Sequence, residues 1–170
     1  MKKRTIYSLE MILCILLLFA GLSAVAGEAW SRYTNDRFGF ILSYPSSLVA
    51  GKAPQNGAGK EFRLADKAFS IVSEGHFLPE GDSLHRRYST EIRLLGNTVN
   101  YKAKGKTWYV ISGTHQNGYE YYYKFYVRER NWVGFRITYP QTKRKIFDPW
   151  VERIEKSFVP FLIGDFDRVR

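Results

Sequence analysis

Between residues 98 and 139 the chain has little choice of fold. Four segments, 98–104, 107–115, 118–128 and 132–139, are rich in Val, Ile, Thr, Tyr, Phe and Trp, the side chains that pack best on a pleated surface. They are parted by Gly105-Lys106, by Gln116-Asn117-Gly118 and by the stretch from Arg128 to Asn131. Breaks of that size join antiparallel neighbours as hairpins, and Asn-Gly supplies the positive φ that a tight turn wants. The segment therefore predicts an antiparallel meander of four strands.

The rest of the chain supplies what such a sheet needs to bury its faces. Phe38, Phe40, Leu42 and Tyr44 alternate through 38–44 like a strand, which Pro45 ends. A surface loop follows, punctuated by Gly51, Pro54, Asn56, Gly57 and Gly59, and then two shorter strands at 61–65 and 68–74 about a turn at Asp66-Lys67. From Ser83 the period changes. Leu84, Tyr88, Ile92 and Leu95 fall at helical spacing, with Asp82 or Ser83 to cap and Gly96-Asn97 to stop the helix. Phe147, Trp150, Val151, Ile154 and Phe158 repeat that spacing, with Asp148-Pro149 as cap and first-turn pair and Pro160 beyond the end. Two helices laid on a largely antiparallel sheet make an α+β domain, a central sheet flanked by helices as in an α/β/α sandwich. A chain of 170 residues suits one such domain, and 16% aromatic with 25% charged residues argues against disorder.

The first 26 residues read as an export signal. Lys2, Lys3 and Arg4 precede an apolar run from Met11 to Ala26 that closes on Ala24-Val25-Ala26, the small-x-small pattern of a cleavage site. As a helix that run covers about 24 Å, short of the ~30 Å hydrocarbon core, so an inner-membrane anchor through 11–26 is the alternative to cleavage. Cys14, the only cysteine, lies early in the run, where lipid attachment is poorly served. A single thiol builds neither a disulfide nor a Cys-based metal site. The organisation expected is a secretory signal peptide over 1–26, one domain over 27–163 and a C-terminal tail over 164–170. Without Lys2, Lys3, Arg4 and Glu10, 23 basic residues face 15 acidic ones, a formal +8. No Asn-x-Ser/Thr acceptor occurs, and a bacterial-type periplasm or the cell exterior is the expected destination, with membrane association only if the signal stays uncleaved.

Several stretches, taken in order, resemble the PsbP-like domains. They are Tyr33 with Arg37-Phe38-Gly39-Phe40 and Tyr44-Pro45, then Trp108-Tyr109-Val110-Ile111-Ser112-Gly113, then Ser157-Phe158-Val159-Pro160. The resemblance spans about residues 30–161. It implies a central antiparallel sheet with helices on both faces, in proteins that are mostly helpers or binding modules, including a lumenal accessory subunit of photosystem II and exported bacterial members of unknown role. It carries over no catalytic residue, because no family-wide catalytic motif exists to match, and fold analogy alone does not give function.

Patterns that carry chemistry are sparse. Gly59-Lys60 is followed by Glu61, and Gly105-Lys106-Thr107 has Asn100 where a phosphate loop needs its first glycine, so both are turn glycines. His76 follows Glu74 by two residues and would share its face on a strand; His85 sits beside Arg86 and Arg87; His115 stands at a hairpin end. None has the spacing of a zinc site, and neither a metal nor a cofactor is expected. No Gly-x-Ser-x-Gly elbow occurs, and Tyr109 and Val110 mark Ser112-Gly113 as mid-strand. Glu152 and Glu155 lie among Arg153 and Lys156 on a solvated helix face.

The aromatic strands offer the one candidate surface. In 119–128 the odd positions (Tyr119, Tyr121, Tyr123, Phe125, Val127) and the even ones (Glu120, Tyr122, Lys124, Tyr126, Arg128) point to opposite faces. The next segment divides into Val133, Phe135, Ile137 and Tyr139 against Trp132, Arg136 and Thr138. One face is core. The other, taken as Tyr122, Lys124, Tyr126, Arg128, Trp132 and Arg136 together, mixes rings with positive charge, as surfaces do that hold anionic or sugar-like ligands. The alternative is that a helix covers it and the Lys and Arg stems reach out to water. Net charge, with Lys143-Arg144-Lys145 and Arg86-Arg87 as its densest runs, should draw the protein to anionic head groups, cell-wall polymers or acidic partners. The expected function is an exported, non-enzymatic accessory or binding domain, monomeric or weakly oligomeric, engaging a protein or an anionic envelope component and no specific nucleic acid. The alternative is a small exported hydrolase or metal-dependent enzyme using His76 and His115 with nearby carboxylates, which needs two histidines, or one with a carboxylate, to converge within about 3 Å of a shared point in a pocket.

Overall fold

The computed structural model describes residues 27–162. The expected signal segment 1–26 and tail 164–170 lie outside the described residues. A hairpin of β1 (Trp30–Asn35) and β2 (Phe40–Pro45) opens the chain. Asn35, 4% exposed, shapes its turn, accepting from the Phe38 N–H at 2.9 Å and donating to the Gly57 carbonyl at 3.0 Å. Then come β3 (Val49–Ala50), β4 (Gly59–Arg63) and β5 (Ser70–Phe77), the helix α1 (Leu84–Leu95), and the four strands β6 (Val99–Lys104), β7 (Trp108–Thr114), β8 (Tyr119–Arg128) and β9 (Asn131–Pro140). The helix α2 (Arg144–Ser157) follows. The large sheet has the order β3-β4-β5-β9-β8-β7-β6, antiparallel throughout.

The predicted meander is present, with Gly118 at φ 78 in the Asn-Gly turn. What local pattern does not specify is that the last strand, β9, takes the centre of the sheet by pairing with β5, Ser70 lying opposite Thr138. The first strand of the sequence reading is also only half of a separate β1–β2 hairpin, outside the large sheet. The shorter strands fall at 59–63 and 70–77 instead of 61–65 and 68–74, around the expected Asp66-Lys67 turn, where Asp66 accepts from the Ala68 N–H at 2.9 Å.

Both faces of the sheet are covered, in three layers. Leu84, Tyr88, Ile92 and Leu95 of α1 pack on Tyr109, Ile111, Tyr121, Phe125 and Trp132. On the other face Phe147, Val151 and Ile154 of α2, with Phe40 and Leu42 of β2, cover Ile71, Val133, Phe135 and Ile137. α1 is capped as predicted, the Ser83 side chain accepting from the Arg86 N–H at 3.1 Å. α2 is not. It starts at Arg144, out of a 3-10 turn over Gln141–Lys143, and Pro149 lies inside it. Asp148 fails as a cap because its carboxylate is taken by the Tyr139 hydroxyl at 2.7 Å. Among the described residues no helix is long and apolar enough to cross a membrane.

Gly134, in the central strand, is held by close approach. A Cβ there would lie 2.3 Å from the Lys124 carbonyl oxygen and 2.3 Å from the Phe125 ring. Backbone cannot yield as a side chain can, so Gly134→Ala is expected to cost about 2–3 kcal/mol. Urea denaturation checks this: the midpoint should fall at unchanged slope. An unchanged midpoint would mean that β8 and β9 separate freely.

Candidate functional site

The hairpin between β8 and β9 decides which side chains share a face. Its two-residue turn, Glu129-Arg130, makes Arg128 face Asn131, so every later pair is of opposite parity: Tyr126 with Val133, Lys124 with Phe135, Tyr123 with Arg136. Directly paired residues project to the same side. The expected single surface is therefore two. Tyr122, Lys124, Tyr126 and Arg128 lie on the α2 side, and Trp132 and Arg136 on the α1 side.

On the α2 side the four residues hold the helix layer in place. Tyr122 stacks on Phe135 with ring centroids 6.1 Å apart, and Tyr126 on Phe158 at 5.8 Å. Lys124, its side chain 13% exposed, pairs with Glu155 of α2 and lies 5.4 Å from the Trp108 ring. Burial works to lower the Lys124 ammonium, but the hydrogen bonds and negative charge of Glu155 and Tyr126 together outweigh it and hold it above the ordinary lysine value. Burial, with Glu155 adding to it, pushes the Tyr122 phenol up. The Arg128 guanidinium lies 4.6 Å from the Phe161 ring. Covered rings and a paired cation leave this side without the open stacking platform the sequence suggests.

The α1 side is different. A cleft of about 380 Å³ opens between α1, the segment 79–82 and the sheet, with Arg86, Arg87, Glu91, Tyr109, Trp132 and Arg136 in its walls. Arg136 bridges two strands and the helix, 3.1 Å from Glu74 and 2.9 Å from Glu91. Arg87 lies 2.8 Å from Asp82 and 4.7 Å from the Trp132 ring. His76, directly across from Trp132 on β5, stacks on it at 4.8 Å and reaches Glu74 at 3.4 Å. Burial pushes the Glu74 carboxyl above its ordinary value, against the pull of Arg136 and His76. Burial likewise raises the Tyr109 phenol.

The sequence pattern points to Trp132, Arg136, Glu74, His76 and, within a basic run, Arg87, but not to Glu91 or Tyr109. One signal was available: Glu91 is the only acid between Asp82 and Glu120, four residues from Arg87 on one face of a helix. The two histidines of the enzyme alternative do not meet, and its one close His–carboxylate pair among the described residues, His76 with Glu74 at 3.4 Å, is engaged by Trp132 and Arg136. His76 faces Trp132, which faces Val127 on β8, whereas the His115 N–H bonds to the Tyr119 carbonyl at 2.8 Å. Eight strand residues, about 26 Å, separate those positions on β8. Among the described residues no three His, Cys, Asp or Glu side chains are grouped to hold a metal ion.

A basic side adjoins the cleft. Residues 83–119 carry six Lys and Arg and one acid, Glu91. Arg87 and Glu91 are engaged in the cleft, but His85, Arg86 and Arg93 of α1 and Lys102, Lys104 and Lys106 at the β6 edge are exposed. Lys104 approaches His85 at 3.4 Å and lies 5.2 Å from the Tyr88 ring. The other dense run is partly neutralised, Lys143 lying 3.7 Å from Asp66 and Arg144 3.6 Å from Asp148.

Comparison with known structures places this fold. No family model and no curated protein sequence matches the chain. Its structure is similar to cyanobacterial PsbP (CyanoP) from Synechocystis, with a TM-score of 0.59 at 10% identity over 81% of this chain and 96% of that one. It is also similar to a Bacteroides thetaiotaomicron protein, with a TM-score of 0.52 at 12% identity, over 79% of this chain but 49% of that one. The chain has a PsbP-like fold, an antiparallel sheet flanked by two helices, as its sequence motifs imply.

Proposed function

We propose that the chain is an exported, non-enzymatic binding domain that engages an anionic envelope component through the basic side of α1 and β6. The observation that carries this reading is the set of five exposed cations on residues 83–119, Arg86, Arg93, Lys102, Lys104 and Lys106, left over once Glu91 is spent on Arg136 and Arg87 on Asp82. Exposed cations gathered on one side raise the local concentration of anionic partners, an effect that salt screens within about 8 Å at physiological ionic strength. The lysines of the β6 edge also discourage pairing of that edge with a second copy, which suits a monomeric or weakly associating protein. The leader-like residues 2–26 support export, and the PsbP-like fold supports a helper role at the level of fold alone.

The test is co-sedimentation with phosphatidylglycerol vesicles against phosphatidylcholine vesicles at low and high salt. Binding should require the anionic lipid and weaken with salt. Each surface lysine contributes about 1 kcal/mol, so Lys102→Glu with Lys104→Glu should weaken association at least about tenfold. Lys52→Glu with Lys145→Glu, exposed residues on the opposite edge and on α2, should leave it nearly unchanged. Equal loss in both variants would mean that net charge alone is at work and would overturn the proposed surface.

A further inference from the structure

The cleft beneath α1 contains buried donors that the protein's own atoms do not satisfy. Trp132 is 5% exposed and its indole Nε1–H meets no acceptor. The Nε atoms of Arg87 and Arg136 are buried too, and that of Arg136 has no acceptor. All three residues wall the same cleft. Arg136 is held from its far end, Nη1 3.1 Å from Glu74 and Nη2 2.9 Å from Glu91, which leaves the Nε–H unused. Arg87 Nε is 2.8 Å from Asp82 but makes no aligned hydrogen bond to it. A buried N–H without an acceptor costs about 1–3 kcal/mol, and native proteins keep very few. Arg87 Nε has the Asp82 carboxylate to face, so two orphan donors, Trp132 Nε1–H and Arg136 Nε–H, remain beside one cleft and ask for a complement that accepts hydrogen bonds.

The charge around them narrows its chemistry. One of the donors belongs to a guanidinium group, which favours an anionic acceptor, and Arg87 and exposed Arg86 add two further cations to the wall. Glu80, Asp82 and Glu91 also line the cleft, so a doubly charged phosphate would meet three carboxylates, whereas a singly charged planar group is opposed less. We propose that this cleft binds a small carboxylate, its oxygens accepting from Trp132 Nε1–H and Arg136 Nε–H, with Arg86 beside it. The site borders the basic side of α1 and β6 but does not rest on that reading: its ligand is a small molecule and its reporter is the indole itself.

The experiment is a titration of the ¹⁵N-labelled protein followed through its indole N–H resonances. Trp30, Trp108, Trp132 and Trp150 supply four such signals, and Trp132→Phe identifies the one that matters. Sodium formate and sodium acetate should shift the Trp132 signal saturably and leave the other three in place, while acetamide and sodium chloride should not. Arg136→Gln should abolish the shift. Because that change can also unfold the protein, the exposed Arg86→Gln provides the second variant, expected to weaken binding about twofold to fivefold, the worth of an exposed ion pair. A Trp132 signal unmoved by either carboxylate, moved equally by acetamide, or moved more by phosphate than by acetate would overturn the proposal, as would an indole N–H bonded to water that acetate does not displace.

Discussion

Arg136→Met is expected to destabilise the protein by about 2 kcal/mol at neutral pH, with much of the loss regained on acidification. Removing one partner of a buried ion network leaves the others desolvated and unpaired, a cost of about 3–5 kcal/mol when burial is complete. Glu74 and Glu91 keep side-chain exposures of 15% and 22% and Arg136 one of 35%, so the cost falls below that range, to about 2 kcal/mol. The sign of the pH dependence follows from Glu74. Burial raises its carboxyl, and Arg136 is the main group pulling it back down. Without the guanidinium it rises further, so the folded protein holds a proton that the unfolded chain has lost. Stability is then greatest below the unfolded carboxyl value, about 4.3, and falls as pH rises through the folded value. Urea midpoints measured from about pH 4 to 8 should show a steeper decline with pH in the variant than in the parent. A loss of equal size at every pH would show that Arg136 acts through packing and not through charge.

The second large effect is expected at Phe135. It sits in β9, fourth of the seven strands, fully buried and opposite Lys124. It stacks on Tyr122 and meets Phe158 at 5.0 Å, so it joins the sheet to the segment that leaves α2. Phe135→Ala removes those contacts and opens a cavity in a layer bounded by a helix and a hairpin, worth about 3–5 kcal/mol. For a domain of this size the thermal midpoint should drop by about 10–20 °C. Leu94→Ala provides the contrast, since Leu94 is 75% exposed and should change stability by less than about 0.5 kcal/mol. If calorimetry gave the two variants similar midpoints, the α2 layer would not be an integral part of the core.

Much of the fold was legible because its signals are local. Ser83 and the Leu84, Tyr88, Ile92, Leu95 spacing specify α1 without help from the rest of the chain, and Asn117-Gly118 specifies a hairpin. The candidate site was only partly legible. Trp132 and Arg136 stand out by composition, but the companions that make them a cleft come from β5 and α1. No periodicity within 132–139 announces Glu74 or Glu91. Asp148-Pro149 misled for a related reason: it has the form of a helix start, yet the Tyr139 hydroxyl competes for the Asp148 carboxylate and the helix starts a turn earlier.

Alternation, turn chemistry and helical spacing act over a few residues, so the sequence by itself determined an antiparallel β-rich domain with two amphipathic helices and a surplus of positive charge. Tertiary structure alone decided that β9 would lie beside β5, that Lys124 and Arg136 would point to opposite sides, and that both sides would be covered. Those choices depend on the register between strands. A two-residue turn exchanges the parity of every pair beyond it, and distant apolar surfaces select the partner strand by what they bury.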